Sequence, residues 1–267
     1  MDNIKIRLLL FAIVGTLFLT EAYAQTTNSD SPVYRYREYM KVEPGMEVDY
    51  IKLEKTWKKV HNKRKQEKNI LEWELYRRIF PSGTNAEYDY MTVTSFASGE
   101  KYRTGNAMTW DYIVQMMDQS DMGIMENTDS IRKIVNRCMD VTLEHTQANG
   151  PFLQITRLQV NPGQDEQLQN MEAMMKPVFT EAARMGKIAS WRFGKRLYPL
   201  TPETGSYYRV ISTNSLDDMF TLDSSGYLET AFKKVYPTKS FAATLASFQN
   251  MVTILDVELW EGMDKTR

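Results

Sequence analysis

The chain carries two kinds of hydrophobic periodicity, and they follow one another in a regular order. Segments rich in aromatic and β-branched residues, with apolar and polar positions in alternation, predict β-strands. Eight segments are of this kind: 34–42, 71–80, 88–96, 141–146, 152–160, 189–198, 207–213 and 253–260. Apolar residues at steps of three and four predict a helix after the first and after the fifth strand. Their buried stripes are Tyr50, Leu53, Trp57 and Val60 in one helix and Leu168, Met171, Met175 and Val178 in the other.

A second helical region precedes the last strand of each set. The apolar positions that indicate it are Ile131, Ile134, Val135 and Cys138 in the first set and Phe241, Leu245, Phe248 and Val252 in the second. The predicted order is therefore β-α-β-β-α-β twice, an α+β fold of two ferredoxin-like units. Residues 99–127 fit neither period, and we expect there a long loop plus a helix that could cap a cavity.

The two sets are also related in sequence, because residues 42–90 align without a gap on residues 160–208. The eleven identical pairs include two pairs of prolines and one pair each of glycines, tryptophans and arginines, and the last of them is Tyr90 with Tyr208. Chance similarity would give roughly three identities in a segment of this length and ordinary composition. A shorter match pairs Asp140 with Asp256 near the end of each set. We interpret the pattern as an internal duplication, which predicts a first ferredoxin-like repeat at 33–150 and a second at 151–264.

The N-terminal residues have the three parts of a secretory signal peptide. A positively charged start precedes an apolar run at 8–19, and a small-x-small motif ends at Ala24. A membrane-spanning helix needs about 20 apolar residues, so an uncleaved anchor is the less favoured alternative. We expect a signal peptide at 1–24, a flexible leader at 25–32, and a periplasmic or secreted protein with no integral membrane segment after cleavage.

Charge and cysteine content narrow the classes of partner. The formal net charge is −1, which gives no electrostatic reason to expect nucleic acid or an anionic membrane surface as partner. Cys138 is the only cysteine, so no disulfide can form within the chain and stability must come from buried apolar area. Because Cys138 ends an apolar-periodic stretch, we interpret it as a buried side chain rather than a reactive thiol.

The opening of each repeat resembles a known superfamily. A strand ends in Pro-Gly, a helix with an apolar stripe follows, and Trp73 or Trp191 lies near the start of the next strand. This arrangement resembles the dimeric α+β barrel proteins, and segments 39–45 and 158–163 are most similar to the start of NIPSNAP-type domains. The resemblance implies two units packed sheet to sheet as a barrel inside one chain, giving a monomer with an internal pseudo-dimer or a weak homo-oligomer. The superfamily includes small monooxygenases, haem-binding enzymes, isomerases and proteins without a demonstrated activity, so the fold does not select a function.

Two functions remain open on the sequence. The first is the binding of a small organic molecule in the barrel or in a cleft between the units. An arginine-lined site would favour an anionic molecule. The second is an oxygenase-like enzyme that is either cofactor-independent or haem-dependent. Whether the protein is an enzyme is therefore undecided at this point.

Candidate ligand-binding residues lie on the second strand of each unit. Period-two alternation separates an apolar face from a face rich in arginine and tyrosine. The apolar face carries Trp73, Leu75, Ile79, Trp191, Phe193 and Leu197, and the other face carries Tyr76, Arg78, Arg196 and Tyr198. If the apolar face meets the helices, Arg78 and Arg196 converge inside the barrel, where they suit a carboxylate or another anion. The second unit has fewer acidic neighbours, so we expect the anion near Arg196. The alternative is that both arginines form structural salt bridges or lie at the barrel rim.

The sequence contains no pattern that indicates a nucleophile, a metal site or a bound cofactor. Haem is most often held by histidine, and the chain has only His61 and His145, which we interpret as packing or surface residues. The spacing of histidine, cysteine and carboxylate residues suits neither zinc nor calcium. There is also no Ser-His-Asp context, phosphate-binding loop or nucleotide fingerprint. Catalytic residues are therefore unknown, and we expect neither a metal nor a cofactor.

Overall fold

Antiparallel strands close into a barrel in the computed structural model, which describes residues 32–83, 86–146, 149–201, 204–222, 224 and 226–266. The predicted signal peptide and all but the last residue of the predicted leader lie outside the described residues. The strands are β1 (Tyr34–Val42), β2 (Glu72–Phe80), β3 (Tyr90–Phe96), β4 (Arg132–His145), β5 (Phe152–Val160), β6 (Ser190–Tyr198), β7 (Tyr207–Thr213) and β8 (Val252–Lys265).

The helices lie in the connections between these strands. They are α1 (Glu47–Gln66), α2 (Gly99–Gly105), α3 (Trp110–Val114), α4 (Gln119–Glu126), α5 (Thr128–Ile131), α6 (Asp165–Arg184), α7 (Leu216–Thr221), α8 (Tyr227–Val235) and α9 (Phe241–Met251). The long helices α1 and α6 follow β1 and β5, as their apolar stripes predict. Within the described residues, none of the helices is long and apolar enough to cross a membrane.

The strand order shows how the two halves of the chain share the barrel. Around the barrel the order is β1-β3-β2-β8-β5-β7-β6-β4. The first half, up to residue 150, supplies β4-β1-β3-β2, and the second half, from residue 151, supplies β8-β5-β7-β6. Pairing of β2 with β8 and of β4 with β6 joins the halves into one closed sheet. The predicted α+β barrel within a single chain is thus confirmed.

The buried apolar residues form three clusters, two outside the barrel and one inside it. One cluster, with Trp73 and Leu75, lies against the helices of the first half, and another, with Trp191 and Phe193, lies against those of the second. A third cluster includes Tyr39, Tyr76, Met91, Cys138, Ile155, Val210 and Trp260. Because its members come from strands around the whole barrel, this cluster is the barrel interior. The tryptophan face of β2 and β6 meets the helices, which is the condition under which Arg78 and Arg196 point into the barrel.

The Pro-Gly turns after β1 and β5 require their glycines. Gly45 and Gly163 have φ values of 83° and 79°, in the left-handed region where a side chain is disfavoured. The chain therefore reverses within a few residues and enters α1 or α6. These turns are where the sequence predicts them.

The segment before β4 differs from the prediction. Ile134, Val135 and Cys138 belong to β4 and not to a helix, because β4 pairs with β1 from Arg132 onward. A β-bulge interrupts this ladder, so the alternation of apolar residues breaks and imitates helical steps. The region at 99–127 also differs, since it holds the short helices α2 to α4 rather than a long loop with one helix.

Strand pairing changes the alignment of the halves at β7. Met40 pairs with Tyr90, but Leu158, its predicted counterpart, pairs with Tyr207. Tyr90 therefore corresponds to Tyr207, and the predicted match of Tyr90 with Tyr208 is wrong by one residue. The shift has a structural consequence because neighbouring strand residues point to opposite faces. Tyr208 points into the barrel, where it joins the interior cluster.

The last strands are also aligned differently from the prediction. Arg35 pairs with Asp140, whereas its counterpart Leu153 pairs with Trp260. Asp140 therefore corresponds to Trp260, and the predicted match with Asp256 is wrong. An error of an even number of residues keeps each side chain on the same face, so the alternation of polarity could not reveal it.

Candidate functional site

Arg196 lies inside the barrel and is bound to a carboxylate of the other half. Its Nε donates to Asp140 Oδ1 at 2.9 Å, and Arg37 forms an ion pair with Oδ2 of the same carboxylate. Burial lowers the pKa of both guanidinium groups, but the Asp140 carboxylate together with Tyr39 and Cys138 raises it above its usual value, so both remain charged. The predicted shortage of acidic partners around Arg196 does not occur, because β4 of the first half pairs with β6 and supplies Asp140.

Arg78 is held by a different carboxylate. Its Nη1 lies 3.3 Å from Glu258 Oε1, and its side chain is 5% exposed. The guanidinium carbon lies 4.0 Å from the centroid of the Tyr88 ring. Glu258 also accepts hydrogen bonds from Tyr88 and Trp260, so Arg78 shares it with two other donors. Nε and Nη2 of Arg78 are buried and have no hydrogen-bond partner among the described residues.

The four residues predicted to bind a ligand do not form one site. Arg78 and Arg196 each pair with a separate carboxylate, as in the salt-bridge alternative. Tyr76 is buried and its hydroxyl donates to Glu74 Oε1 at 2.7 Å. Tyr198 is 74% exposed at the end of β6. A ligand-binding role for these residues remains a prediction, and it applies to them separately.

One cavity opens at the barrel rim beside Arg78, and we call it the rim cavity. Its volume is about 380 Å³, and its lining includes Arg78, Tyr88 and Tyr90. It also includes Lys41, whose Nζ lies 3.1 Å from Asp89 Oδ1 and 2.8 Å from the carbonyl oxygen of Ala86.

A larger cavity lies in the second half, between the outer face of the sheet and α7, α8 and α9, and we call it the C-terminal cavity. Its volume is about 470 Å³. Most of the lining is apolar, with contributions from Leu158, Phe179, Ile211, Leu245, Phe248 and Val257. A cavity of this size and composition suits a small organic molecule, because such sites combine apolar walls with a few polar groups.

Among the described residues that line the C-terminal cavity, Arg209 is the cation. Its guanidinium carbon lies 4.3 Å from the Phe248 ring centroid and 5.8 Å from that of Phe179. Arg209 Nη2 donates to Glu172 Oε1, while Arg209 Nε and Glu172 Oε2 are buried without a hydrogen-bond partner among the described residues. Burial raises the pKa of Glu172, and Arg209 opposes that shift. The guanidinium is thus fixed between aromatic rings with one donor unused.

Sequence reasoning missed Arg209 although one signal was present. Glu54 on α1 and Glu172 on α6 are one of the identical pairs in the alignment of the two repeats. Both side chains prove to be buried, at 0% and 3% exposure, and a buried carboxylate requires a cationic partner. The pattern could have prompted a search for that partner, but nothing in the local sequence identifies Arg209.

His61 does not fit the role of an axial haem ligand. It is 7% exposed, and its ring stacks on Trp73 at 5.1 Å between centroids. Arg64 Nη1 lies 2.8 Å from Nδ1, and because arginine only donates, Nδ1 must accept. Burial and then Arg64 lower the pKa of His61 well below its usual value, so the ring is neutral and Nε2 carries the proton. Neither nitrogen is then free to bind iron, so His61 does not fit a haem site.

The described residues contain no group of three or more histidine, cysteine, aspartate and glutamate side chains that could hold a metal ion. Cys138 is 2% exposed, and burial raises the pKa of its thiol to about 11. The thiolate that a nucleophile or metal ligand requires is therefore disfavoured.

No family model matches the chain, and no curated protein matches it. Solved structures resemble it at low identity. A protein named "putative monooxygenase" from Lactobacillus acidophilus NCFM has a TM-score of 0.54 and 10% identity over 89% of this chain and 96% of that one. An "anthrone oxidase-like protein" has 0.51 and 11% over 89% and 93%, and a "putative chlorite dismutase" has 0.50 and 10% over 88% and 96%. These likenesses show that the chain has the fold of the dimeric α+β barrel proteins.

Proposed function

We propose that the protein binds a small organic molecule in the C-terminal cavity. The observation that carries the proposal is the position of Arg209, a cation with an unused donor in the wall of a mostly apolar space. Apolar walls favour the body of an organic molecule by removing it from water. A guanidinium favours an anionic or strongly polar oxygen on that molecule.

The neighbours of Arg209 suit it to this role. Glu172 holds Nη2 and so positions the guanidinium. Phe248 and Phe179 contact it through their ring faces, which stabilises a cation that is removed from water. The preferred ligand therefore has an aromatic or aliphatic body of moderate size and one carboxylate, sulfonate or phenolate group.

An oxygenase-like activity at the same cavity is the second candidate. It is favoured by the names of two proteins of the same fold, a "putative monooxygenase" and an "anthrone oxidase-like protein". Arg209 would stabilise a phenolate or enolate oxygen of an electron-rich substrate, which could then react with oxygen without a metal. Oxygen uptake with a panel of polycyclic phenols separates the candidates. Uptake that disappears in Arg209→Gln supports an enzyme, and binding without uptake supports a binding protein.

The proposed ligand site can be tested with 1-anilinonaphthalene-8-sulfonate, an aromatic anion whose fluorescence rises in apolar surroundings. We expect the protein to bind one equivalent. Leu245 lines the cavity and is 41% exposed, so Leu245→Trp can fill the space without a buried clash and should weaken binding at least fivefold. Val48 is 81% exposed and lies outside the lining, so Val48→Trp is the matched control. Equal affinity in both variants would refute the site.

The internal duplication belongs to the same proposal. Each half supplies four strands in the same order, with α1 or α6 after the first of them, which supports an origin from two ferredoxin-like units of the NIPSNAP type. A single half would expose the inner face of its sheet, so either half expressed alone should aggregate or dimerise. The intact chain should be a monomer or a weak homo-oligomer by sedimentation. Stable monomeric halves would contradict the proposal.

Export remains a proposal that rests on the sequence alone. The apolar run at 8–19 and the motif ending at Ala24 support a cleaved signal peptide. Produced in a Gram-negative host, the protein should appear in the periplasm with Gln25 as its first residue. Intact Met1 in a membrane fraction would contradict it.

A further inference from the structure

We propose that the rim cavity is a second, separate binding site, which takes a small organic carboxylate on the unpaired edge of Arg78. Arg78 lines the cavity and its side chain is 5% exposed. The rim cavity shares no lining residue with the C-terminal cavity, and this inference does not depend on the function proposed there.

The open donors of Arg78 are the two that suit a carboxylate. Nε and Nη2 are adjacent along one edge of the planar guanidinium, and both are buried without a hydrogen-bond partner among the described residues. Two parallel N–H groups on such an edge match the two oxygens of a carboxylate in a bidentate contact. Leaving a buried charged donor unpaired is unfavourable, so an anion that reaches this edge is stabilised.

The one carboxylate that contacts Arg78 leaves this edge unused. Glu258 lies 3.3 Å from Nη1, on the other side of the guanidinium. The same carboxylate accepts hydrogen bonds from Tyr88 and from Trp260 Nε1. Its negative charge is therefore spread over three donors, and the charge of Arg78 is only partly neutralised.

The other cations in the lining of the rim cavity are already committed. Lys41 binds Asp89 and the carbonyl oxygen of Ala86. Arg77 forms an ion pair with Glu261 and is 52% exposed, so its interaction with a ligand would be weakened by water. Among the described lining residues, Arg78 is therefore the cation that is both desolvated and without a hydrogen-bond partner along one edge.

The remaining walls define the body of the ligand. The lining includes the side chains of Val42, Pro44, Pro81, Tyr88 and Tyr90. Their apolar surface and the volume of about 380 Å³ favour a compact aromatic or branched acid over an inorganic anion, which would gain nothing from apolar contact. Benzoate has this combination of a ring and a carboxylate, and benzamide has the same shape without the charge.

Calorimetric titration of the protein with benzoate and benzamide tests the inference. Benzoate should bind at least tenfold more tightly than benzamide. Arg78→Lys keeps the charge but removes the bidentate edge, so it should weaken benzoate at least fivefold. Arg103 is 73% exposed and lies outside the lining, so Arg103→Lys is the control and should leave the affinity within twofold. Equal affinity for benzoate and benzamide, or an Arg78→Lys protein that binds benzoate as well as the wild type, would overturn the inference.

A second variant tests the same edge by a gain instead of a loss. Glu258→Gln removes the negative charge that competes for Arg78. Its one amide oxygen can still accept from Tyr88, and its amide nitrogen replaces the oxygen that accepts from Trp260 Nε1. Benzoate should then bind several-fold more tightly. An unchanged or weaker affinity in this variant, with the near-UV circular dichroism of the wild type, would also overturn the inference.

Discussion

The two halves of the barrel share a backbone plan but place their buried arginines differently. Glu54 on α1 and Glu172 on α6 occupy corresponding positions, and both are buried. In the first half the arginine partner is Arg132, at the start of β4. In the second half it is Arg209, in the middle of β7. Strand pairing shows that the position of Arg209 is occupied by Thr92 in the first half.

This difference decides whether the buried helix carboxylate lies beside a cavity. In the first half α2 to α5 connect β3 to β4, and Ile113, Ile124 and Met125 from these helices join the buried core. In the second half the cavity stays open beside Arg209. Glu54 and Glu172 thus occupy the same helix position but differ in role. Glu54 lies in a packed core, whereas Glu172 holds a cation that lines a cavity. The backbone is similar in both halves and therefore does not specify the C-terminal site. The position of Arg209 specifies it.

The largest expected effect concerns the two ion pairs. Removing one partner of a buried ion pair costs about 3–5 kcal/mol, because the other charge is left without a partner. Arg209→Met should approach this range, since Glu172 is fully buried. Arg132→Met should cost less, because Arg132 Nε lies 3.6 Å from Glu54 Oε1 in a looser pair. Urea unfolding measures both, and a larger loss in Arg132→Met would contradict the comparison.

The second effect concerns a compensating exchange inside the barrel. Tyr76 lies opposite Met91 in the first half, and Gly194 lies opposite Tyr208 in the second. A Cβ at Gly194 would overlap the Tyr208 ring, so Gly194→Tyr should destabilise the protein by about 3 kcal/mol. The double variant Gly194→Tyr with Tyr208→Met copies the first half and should recover most of the stability. If urea unfolding shows that the double variant is no more stable than the single one, the pair Tyr76 and Met91 is not equivalent to the pair Gly194 and Tyr208.

A third effect is a dependence of stability on pH. Burial raises the pKa of Glu54 from 4.5 to about 7, against the attraction of Arg132. The folded protein then holds a proton that the unfolded chain has lost, so stability should fall as pH rises from about 4.5 to about 7. The loss amounts to about 1–3 kcal/mol.

Glu54→Gln should flatten this part of the profile, measured by urea unfolding at several pH values. Glu47 is exposed on the same helix, so Glu47→Gln is the control and should keep the slope. An unchanged slope in Glu54→Gln would show that Glu54 is not the titrating group.

The smallest effect concerns Tyr198, which the sequence places among the ligand-binding residues. Its side chain is 74% exposed, so Tyr198→Ser should change stability by less than about 0.5 kcal/mol. Binding of 1-anilinonaphthalene-8-sulfonate and of benzoate should also be unchanged. A clear loss of either ligand would mean that the surface of β6 takes part in a site.

The pattern of apolar and polar residues predicts most of the architecture, because strands show alternation and helices show apolar steps of three and four. The steps of Tyr50, Leu53 and Val60 and the turn at Gly45 predict α1 and its start, and the tryptophan face of β2 predicts which side meets the helices. The start of β4 was missed because its bulge broke the period. Sequence alone could not give the register of β8, since a shift by an even number of residues preserves polarity.

The candidate sites were less predictable because they depend on contacts between distant segments. Arg196 was expected to lack an acidic partner, but Asp140 reaches it through the pairing of β4 with β6. Arg78 was predicted from its strand position, but only the structure shows that Glu258 leaves one of its edges open. Arg209 gave no local signal at all.

The most direct test of the account compares Arg209→Gln with Arg132→Gln in a titration with 1-anilinonaphthalene-8-sulfonate. Glutamine can still hydrogen-bond the buried glutamate in each half but carries no charge. We predict that Arg209→Gln weakens the anionic probe about tenfold, or 1.4 kcal/mol, whereas Arg132→Gln leaves it within twofold. The uncharged analogue N-phenyl-1-naphthylamine should bind all three proteins alike. Equal effects of the two substitutions on the anionic probe, or no effect of either, would contradict the central claim that Arg209 makes the C-terminal cavity a binding site for an organic anion.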